Sequence, residues 1–442
     1  MVATQFALGV REHLLQRLAQ ARRDSDAIFG IVKPEALYDR PIAERHRIIF
    51  YVGHLEAFDW NLLGRRALDL PVFNAAFDKL FAFGIDPVDG KLPTDEPRDW
   101  PAHEVVMEYV RSVRDRIDGA LGRARLDDPA LPLLHDGLAL HVAIEHRLMH
   151  AETLAYMLHQ LPLNRKAQCS AATHPSQPIA QAMLPIPTGV ATLGARRESG
   201  AFGWDNEFEQ HEIAVPAFRI SRFKVTNGEF LEFVRAGGYF DPALWEESAW
   251  AWKEKSRIMH PQFWMRNGSE WRYRTMFAEI PLPLDWPVYV SHAEASAYAR
   301  WAGKQLPTEA QFHRAAYGTP QGGERQYPWG DEAPSRERGN FDFANWNPTP
   351  VNAHPAGRSA FGVEDLLGNG WEWTSTVFAP FEGFKPFAFY PGYSADFFDG
   401  KHYVMKGGSA RTVACMLRRS FRNWFQGHYP FVYAGFRLVE AA

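Results

Sequence analysis

Cysteine is almost absent: Cys169 and Cys415 are the only two in 442 residues. That excludes a disulfide-stapled scaffold and a thiolate zinc site, and it predicts a reducing, cytoplasmic setting. No apolar run approaches the roughly 20 residues of a membrane helix, so no membrane span is expected. Positive charge is not in excess, with 48 Lys and Arg against 52 Asp and Glu and a formal net charge of −4. Without a polycationic surface, nucleic acid is not an expected partner. The opening Met1-Val2-Ala3-Thr4-Gln5 carries neither a basic stretch nor a cleavable apolar core, which predicts no secretion signal. There is no internal repeat and no low-complexity tract. What is present is an ordinary globular balance, 46% hydrophobic and 23% charged, with aromatics at 14% and concentrated toward the C-terminal half. At about 150 residues per domain, the length predicts two or three domains.

The pattern changes along the chain. From about residue 4 to 163 apolar residues recur at threes and fours, as in Leu14, Leu15, Leu18 and Ala21. Further helical stretches run over 44–68, 103–121 and 133–161, and the Pro- and Asp-rich segment 71–101 reads as a long connection. Four helices of this size predict a bundle, an architecture that builds metal sites from facing helices. Four prolines (Pro175, Pro178, Pro185, Pro187) then punctuate a polar stretch that reads as a linker. Beyond it, short strands alternate with Gly, Pro and Asn turns. Short helices are expected over 227–234 and 292–302, and Thr308 with Gln311 forms a capping-box pattern for another. The expected organisation is a helical domain over 1–163, a linker over 164–184 and a second domain over 185–442.

The most informative short segment is His146-Arg147-Leu148-Met149-His150-Ala151-Glu152. His146 and His150, four apart on a helix, project from one face and can grip one ion. Glu152 lies about 200° around the helix from His150 and is a poor ligand. A third ligand must come from another helix. His54 is the candidate, because it stands among Tyr51, Val52, Leu55 and Phe58 on an apolar face. Three neutral imidazoles suit Fe(II), Zn or Cu, and spacing alone does not choose between them. Seventeen histidines make chance pairs common, so a structural role for each is the competing reading.

The C-terminal region resembles the formylglycine-generating-enzyme (sulfatase-modifying factor) fold. The matching phrases include Val225-Thr226-Asn227, Leu306-Pro307-Thr308-Glu309-Ala310, Tyr327-Pro328-Trp329-Gly330, Gly368-Asn369-Gly370-Trp371-Glu372-Trp373, Gly407-Gly408-Ser409 and Gly435-Phe436-Arg437-Leu438. True formylglycine-generating enzymes place two copper-binding cysteines after the Gly-Gly-Ser. Here Thr412 and Leu417 stand at those spacings, so that chemistry is not expected. The N-terminal region resembles a DinB-like four-helix bundle. The two together resemble the ergothioneine and ovothiol sulfoxide synthases, non-haem iron enzymes that use O2 to join sulfur to a histidine-derived imidazole. The implied fold class is α+β, a DinB-like bundle followed by a C-type-lectin-like, formylglycine-generating-enzyme-like domain.

That resemblance implies roles for particular residues. Its His-x3-His-x-Glu motif matches His146, His150 and Glu152, and its further ligand histidine matches His54, giving an Fe(II) site of three histidines. Tyr390-Pro391-Gly392-Tyr393-Ser394 matches a segment whose first tyrosine supplies a proton or electron near the iron and whose second lines the imidazole pocket. Which of the two faces the iron stays open. Phe421-Arg422-Asn423-Trp424 matches a segment whose Asn and Trp contact hercynine, the trimethylated histidine. Trp371 is a further candidate to sit against the trimethylammonium, and the site is expected between the domains.

Two departures bear on the chalcogen donor. Members that use γ-glutamylcysteine carry an acidic residue where Phe425 stands, and arginines in the connection that here reads Phe83-Gly84-Ile85-Asp86-Pro87-Val88-Asp89-Gly90. A doubly charged donor would lack its counter-charges, a costly deficit for a buried ion. The segments Ile48-Ile49-Phe50-Tyr51-Val52-Gly53-His54-Leu55-Glu56-Ala57-Phe58-Asp59-Trp60 and Leu80-Phe81-Ala82-Phe83-Gly84-Ile85-Asp86-Pro87 most resemble the selenoneine synthase branch, which joins a selenosugar to hercynine. Cysteine or γ-glutamylcysteine as thiol donor is the alternative. A non-catalytic ligand-binding protein with structural zinc and a zinc-dependent thiol transferase are readings of other classes. Whether the donor carries Se or S, and the oligomeric state, stay open.

Overall fold

A computed structural model describes residues 2–82, 92–126, 128, 131–167 and 176–442. The chain divides into two compact units, 1–169 and 170–442. The α+β class and the helical-then-strand-rich order match the expectation. The Phe83-to-Gly90 connection, invoked above for the donor, lies outside the described residues.

The first unit is helical. Its long members are α1 (Val2–Phe29), α2 (Ile48–Asp59), α4 (His103–Leu121) and α5 (Leu138–His159), with a short α3 (Ala75–Leu80) between α2 and α4. Two of these are unlike surface helices. In α2 every residue but Phe58 is buried, and in α5 every residue but Leu138, His141 and Met149. A helix apolar on all sides belongs in a core, and α5 packs along α1 while α2 packs on α4. α4 is amphipathic, burying Val106, Val110, Val113 and Ile117.

The helix expected over 44–68 starts later and changes character. From Trp60 to Ala67 the chain continues α2 as a wider π turn, a form often found beside functional sites. The buried Trp60 indole lies against Gly64, where an added Cβ would meet the ring at 2.6 Å. The segment 71–101 is not simply a connection. It contains α3, whose N-cap Asn74 accepts from the Phe77 amide at 3.1 Å. Six residues are too few to show a period, so pattern reading passes over such a helix.

The second unit carries five helices among the described residues: α6 (Asn227–Arg235), α7 (Glu247–Ser256), α8 (His292–Trp301), α9 (Glu309–Tyr317) and α10 (Gly392–Ala395). Three begin with reciprocal capping boxes, Thr226 with Glu229, Ser291 with Glu294, and Thr308 with Gln311. Its strands are β1 (Met183–Ile186), β2 (Gly189–Leu193), β3 (His211–Val215), β4 (Phe218–Ser221), β5 (Trp264–Asn267), β6 (Glu270–Arg274), β7 (Glu279–Pro281), β8 (Trp371–Val377), β9 (His402–Lys406), β10 (Asn423–Gln426), β11 (Ala434–Gly435) and β12 (Val439–Ala441). They form four small sheets ordered β1-β4-β12, β2-β3, β5-β6-β7 and β10-β9-β8-β11. In the last, β10 runs antiparallel to β9 with Trp424 opposite Val404.

One buried ion pair ties two of these sheets together, β1-β4-β12 and β10-β9-β8-β11. Arg437 is fully buried and binds Glu372 of β8 through Nε at 2.5 Å and Nη2 at 2.8 Å. It also donates to the carbonyls of Ser221, Arg222 and Glu364 at 3.0 to 3.1 Å. Removing one partner of such a pair strands the other charge in the interior. We expect Arg437→Met to cost about 3–5 kcal/mol, read as a lower urea midpoint in tryptophan fluorescence of the full chain.

Candidate metal centre

His54 comes from α2, and His146 and His150 from α5. All three are buried, and their ligand atoms lie within 4.8 Å of one another. His150 Nε2 is 3.2 Å from His54 Nε2 and 3.1 Å from His146 Nε2. Glu152 is buried on α5 but is not part of this cluster.

The geometry of His54 is built from several elements. Asp78 of α3 accepts from the Trp60 indole at 3.1 Å and from the Tyr109 hydroxyl at 2.9 Å, pinning α3 to the π turn and to α4. This holds the buried Phe81, just past α3, against α2. Its ring covers Gly53, where a Cβ would stand 2.6 Å from the ring carbons. The Phe81 carbonyl lies 2.7 Å from His54 Nδ1. A carbonyl only accepts, so the His54 proton sits on Nδ1 and Nε2 presents its lone pair to the cluster. Phe58 stacks on His146 at 3.4 Å, and Phe50 stacks on His54 at 4.9 Å.

Burial holds all three rings uncharged. Desolvation lowers His54 from 6.5 to about 4 and takes His146 and His150 well below their ordinary value, with neighbouring histidines and Arg147 adding to the last two. Three neutral nitrogens then converge with too few protons among them. Nε2 of His54 is a lone pair, and one proton on His150 Nε2 can point well at only one of its two neighbours. A shared cation resolves this. Nitrogens about 2.0–2.1 Å from one ion stand about 2.8–3.4 Å apart at octahedral to tetrahedral angles, which brackets the two observed separations. An all-imidazole donor set suits iron, zinc or copper and not the hard, oxygen-seeking cations.

In the second unit, Tyr390, Tyr393 and Trp424 are linked by ring contacts. Tyr393 stacks on Trp204 at 3.9 Å and meets Tyr390 and Trp424 each at 5.5 Å. Trp424 stacks on Phe378 at 4.3 Å. The buried Ser394 hydroxyl donates to Asp205 at 2.6 Å, fixing α10 beside Trp204. Asn423 and Phe425 alternate with Trp424 along β10 and therefore face the opposite side of the strand. Asn423 turns its oxygen onto the Trp424 amide at 2.9 Å, and Phe425 stacks on Tyr429 at 5.3 Å. Trp371 is a core residue of β8, tilted against Phe421 at 5.9 Å. Arg422 is buried and paired with Glu309 at 3.1 Å. Thr412 and Leu417, at the former copper-cysteine positions, are buried, and Cys415 is exposed.

Sequence reading gave no role at the metal centre to Gly53, Trp60, Asp78 or Phe81. The signal for Phe81 is its main-chain carbonyl, which no side-chain pattern reveals.

Residues 169–442 match the sulfatase-modifying factor enzyme 1-like domain, and 17–154 match the DinB superfamily. The chain is 37% identical over 448 residues to a hercynine oxygenase of Mycolicibacterium thermoresistibile, covering 99% of this chain and 96% of that protein. It is 38% identical over 317 residues to the hercynine oxygenase of Mycobacterium tuberculosis, covering 70% and 73%. It is 30% identical to ergothioneine biosynthesis protein 1 of Neurospora crassa, covering 92% of this chain and 55% of that protein. No helix among the described residues is long and apolar enough to cross a membrane.

Two outcomes follow from this geometry. Because the unfolded chain's histidines bind protons near 6.5 while folded His54 does so only near 4 and His146 and His150 well below their ordinary value, stability of chelator-treated protein is complete above about pH 6.5. It falls as the pH drops toward 4, with His54 alone contributing about 3 kcal/mol. Urea midpoints at pH 7 and 5 measure this, and His54→Leu is expected to flatten the dependence. Gly53→Ala is expected to displace Phe81 and weaken metal binding about 10- to 100-fold, with helical circular dichroism unchanged.

Proposed function

The chain belongs to the ergothioneine/ovothiol sulfoxide synthase superfamily, and on that footing we propose that it joins a selenosugar to imidazole C2 of hercynine, using O2 at an Fe(II) ion held by His54, His146 and His150. At the coarser level it is an oxidative enzyme that forms a carbon–chalcogen bond on hercynine. The observation that carries the reading is the convergence of three uncharged Nε2 atoms in the bundle interior.

The reaction balances as a four-electron reduction of O2. The imidazole C–H and the chalcogen–H bonds break, and the carbon–chalcogen bond forms. One oxygen atom ends on the chalcogen, and the other leaves as water with the two hydrogens. A bound Fe(II) supplies the one-electron chemistry that O2 requires.

The chain's own groups do the rest. Phe81 holds the His54 ring in the tautomer that exposes Nε2, and burial keeps all three ligands unprotonated near neutral pH. Tyr393, stacked on Trp204 and edge-on to Trp424, completes an aromatic cluster suited to a trimethylammonium group, an attraction of about 0.5–2 kcal/mol. Tyr390 is half-buried at the edge of that stack and serves as the phenol that donates a proton as water forms. Asn423, on the other side of β10 with its oxygen on the Trp424 amide, orients the main chain beside that stack.

The donor is assigned from Phe425. Its ring lies flat against Tyr429, an uncharged face where an acidic side chain would be needed to meet the ammonium of a γ-glutamyl peptide. That favours a neutral, sugar-like carrier. The ergothioneine biosynthesis relatives favour the second reading, a thiol donor such as cysteine or γ-glutamylcysteine.

Iron-loaded protein offered hercynine with a selenosugar, cysteine or γ-glutamylcysteine separates the two by mass analysis of the products. Preference for the selenosugar is expected, and faster turnover with γ-glutamylcysteine overturns the donor assignment. His150→Ala is expected to lose both stoichiometric iron and O2-dependent product. Full activity in that variant overturns the metal site.

A further inference from the structure

Arg147 stands between two of the clustered histidines in sequence, yet its guanidinium turns to α2 and α1. The side chain is 1% exposed. It donates to Asp59 at 2.6 Å, to Glu56 at 3.0 Å, to the Leu55 carbonyl at 3.2 Å and to the Ser25 hydroxyl at 3.3 Å. Three of these acceptors lie on α2 within five residues after His54. Arg147 thus joins the turn of α5 that carries His146 and His150 to the turn of α2 that carries His54.

The rest of the network reaches the other helices. Glu56 also accepts from Arg114 of α4 at 2.7 and 3.0 Å, and Arg114 pairs with Asp26 of α1 at 2.7 Å. Arg22 of α1 pairs with Asp118 of α4 at 2.7 Å. Of these three arginines only Arg147 sits on α5. A buried ion group is a poor way to gain stability, since well-packed apolar residues do as well or better. Apolar packing also tolerates exchange and small shifts of its side chains. Four directional contacts on one planar guanidinium tolerate neither, so they fix the separation and register of the two helices.

We propose that Arg147 is a positioning residue of the metal centre: by locking α5 to α2 it sets the spacing of the three imidazole nitrogens, and with it the affinity and coordination geometry of the ion. The proposal rests on reading the histidine cluster as a metal centre. Arg147 acts through the helices and does not touch substrate.

The test uses the full chain and Co(II) as a spectroscopic probe. Affinity is measured by titrating the visible absorption bands, and fold by the urea midpoint in chelator. Arg147→Met and Arg147→Lys are expected to weaken Co(II) binding at least about tenfold and to shift its bands, because neither side chain reproduces the fork of donors. Arg114→Met, in the same network but not on α5, is expected to lose stability while keeping the wild-type spectrum and an affinity within about twofold. If both Arg147 variants fail to fold, Asp59→Asn, which keeps the volume and removes one charged acceptor, decides by the same criteria. Folded variants with wild-type affinity and spectrum overturn the proposal. Wild-type protein that takes up no Co(II) overturns instead the metal-centre reading beneath it.

Discussion

Three uncharged imidazole nitrogens converge inside a buried helical core with too few protons to satisfy one another, and the bundle is organised around tolerating that. The neutral state of the rings follows from burial. Their convergence follows from placing two of them four residues apart on α5 and the third on a facing helix. Both helices are enclosed on nearly every side, so neither can rotate its histidines toward water without exposing apolar surface. A preorganised arrangement of this kind spends folding energy in advance, so an arriving ion meets ligands already oriented.

The two units contribute opposite kinds of chemistry. In the bundle, the buried charges are matched internally, Arg147 against Glu56 and Asp59, while Arg114 and Arg22 extend the network to the more exposed Asp26 and Asp118. In the second unit the faces around Tyr393 and Trp424 are aromatic and uncharged, while the nearby cation Arg422 is taken up by Glu309. The cationic, methylated substrate proposed above would suit such π faces, which attract such a group without having to strip away a tightly held hydration shell. A fixed carboxylate would bind it more strongly but at a desolvation cost on both partners.

Much of this was legible in the amino-acid order, and the limits have physical causes. The spacing of His146 and His150 states their shared face directly, and the apolar setting of His54 states its burial. The Thr308–Gln311 capping box marks the start of α9, because a cap is a local device. α3 and α7 were not legible: the first is too short for a period, and the second buries only Lys253 among its residues. The π turn after Asp59 is invisible, since no side-chain period marks it, and the packing of Trp60 over Gly64 shows only in three dimensions. Arg147 gives no local signal either. An arginine within an apolar helix is unremarkable until its partners, more than 85 residues away in sequence, are brought beside it. Likewise the alternation of β10 separates Asn423 and Phe425 from Trp424, although the three are consecutive.

The acceptor that orients His54 is a peptide oxygen. Its chemistry is the same whichever amino acid occupies position 81, so mutational drift there leaves the ring's proton where it is as long as the loop path is kept. The vulnerable partner is the smallest one: the bare α-carbon of Gly53, which gives the Phe81 ring its seat. Sequence variation is therefore tolerated electronically and policed sterically, and the residue most constrained by this hydrogen bond takes no part in it.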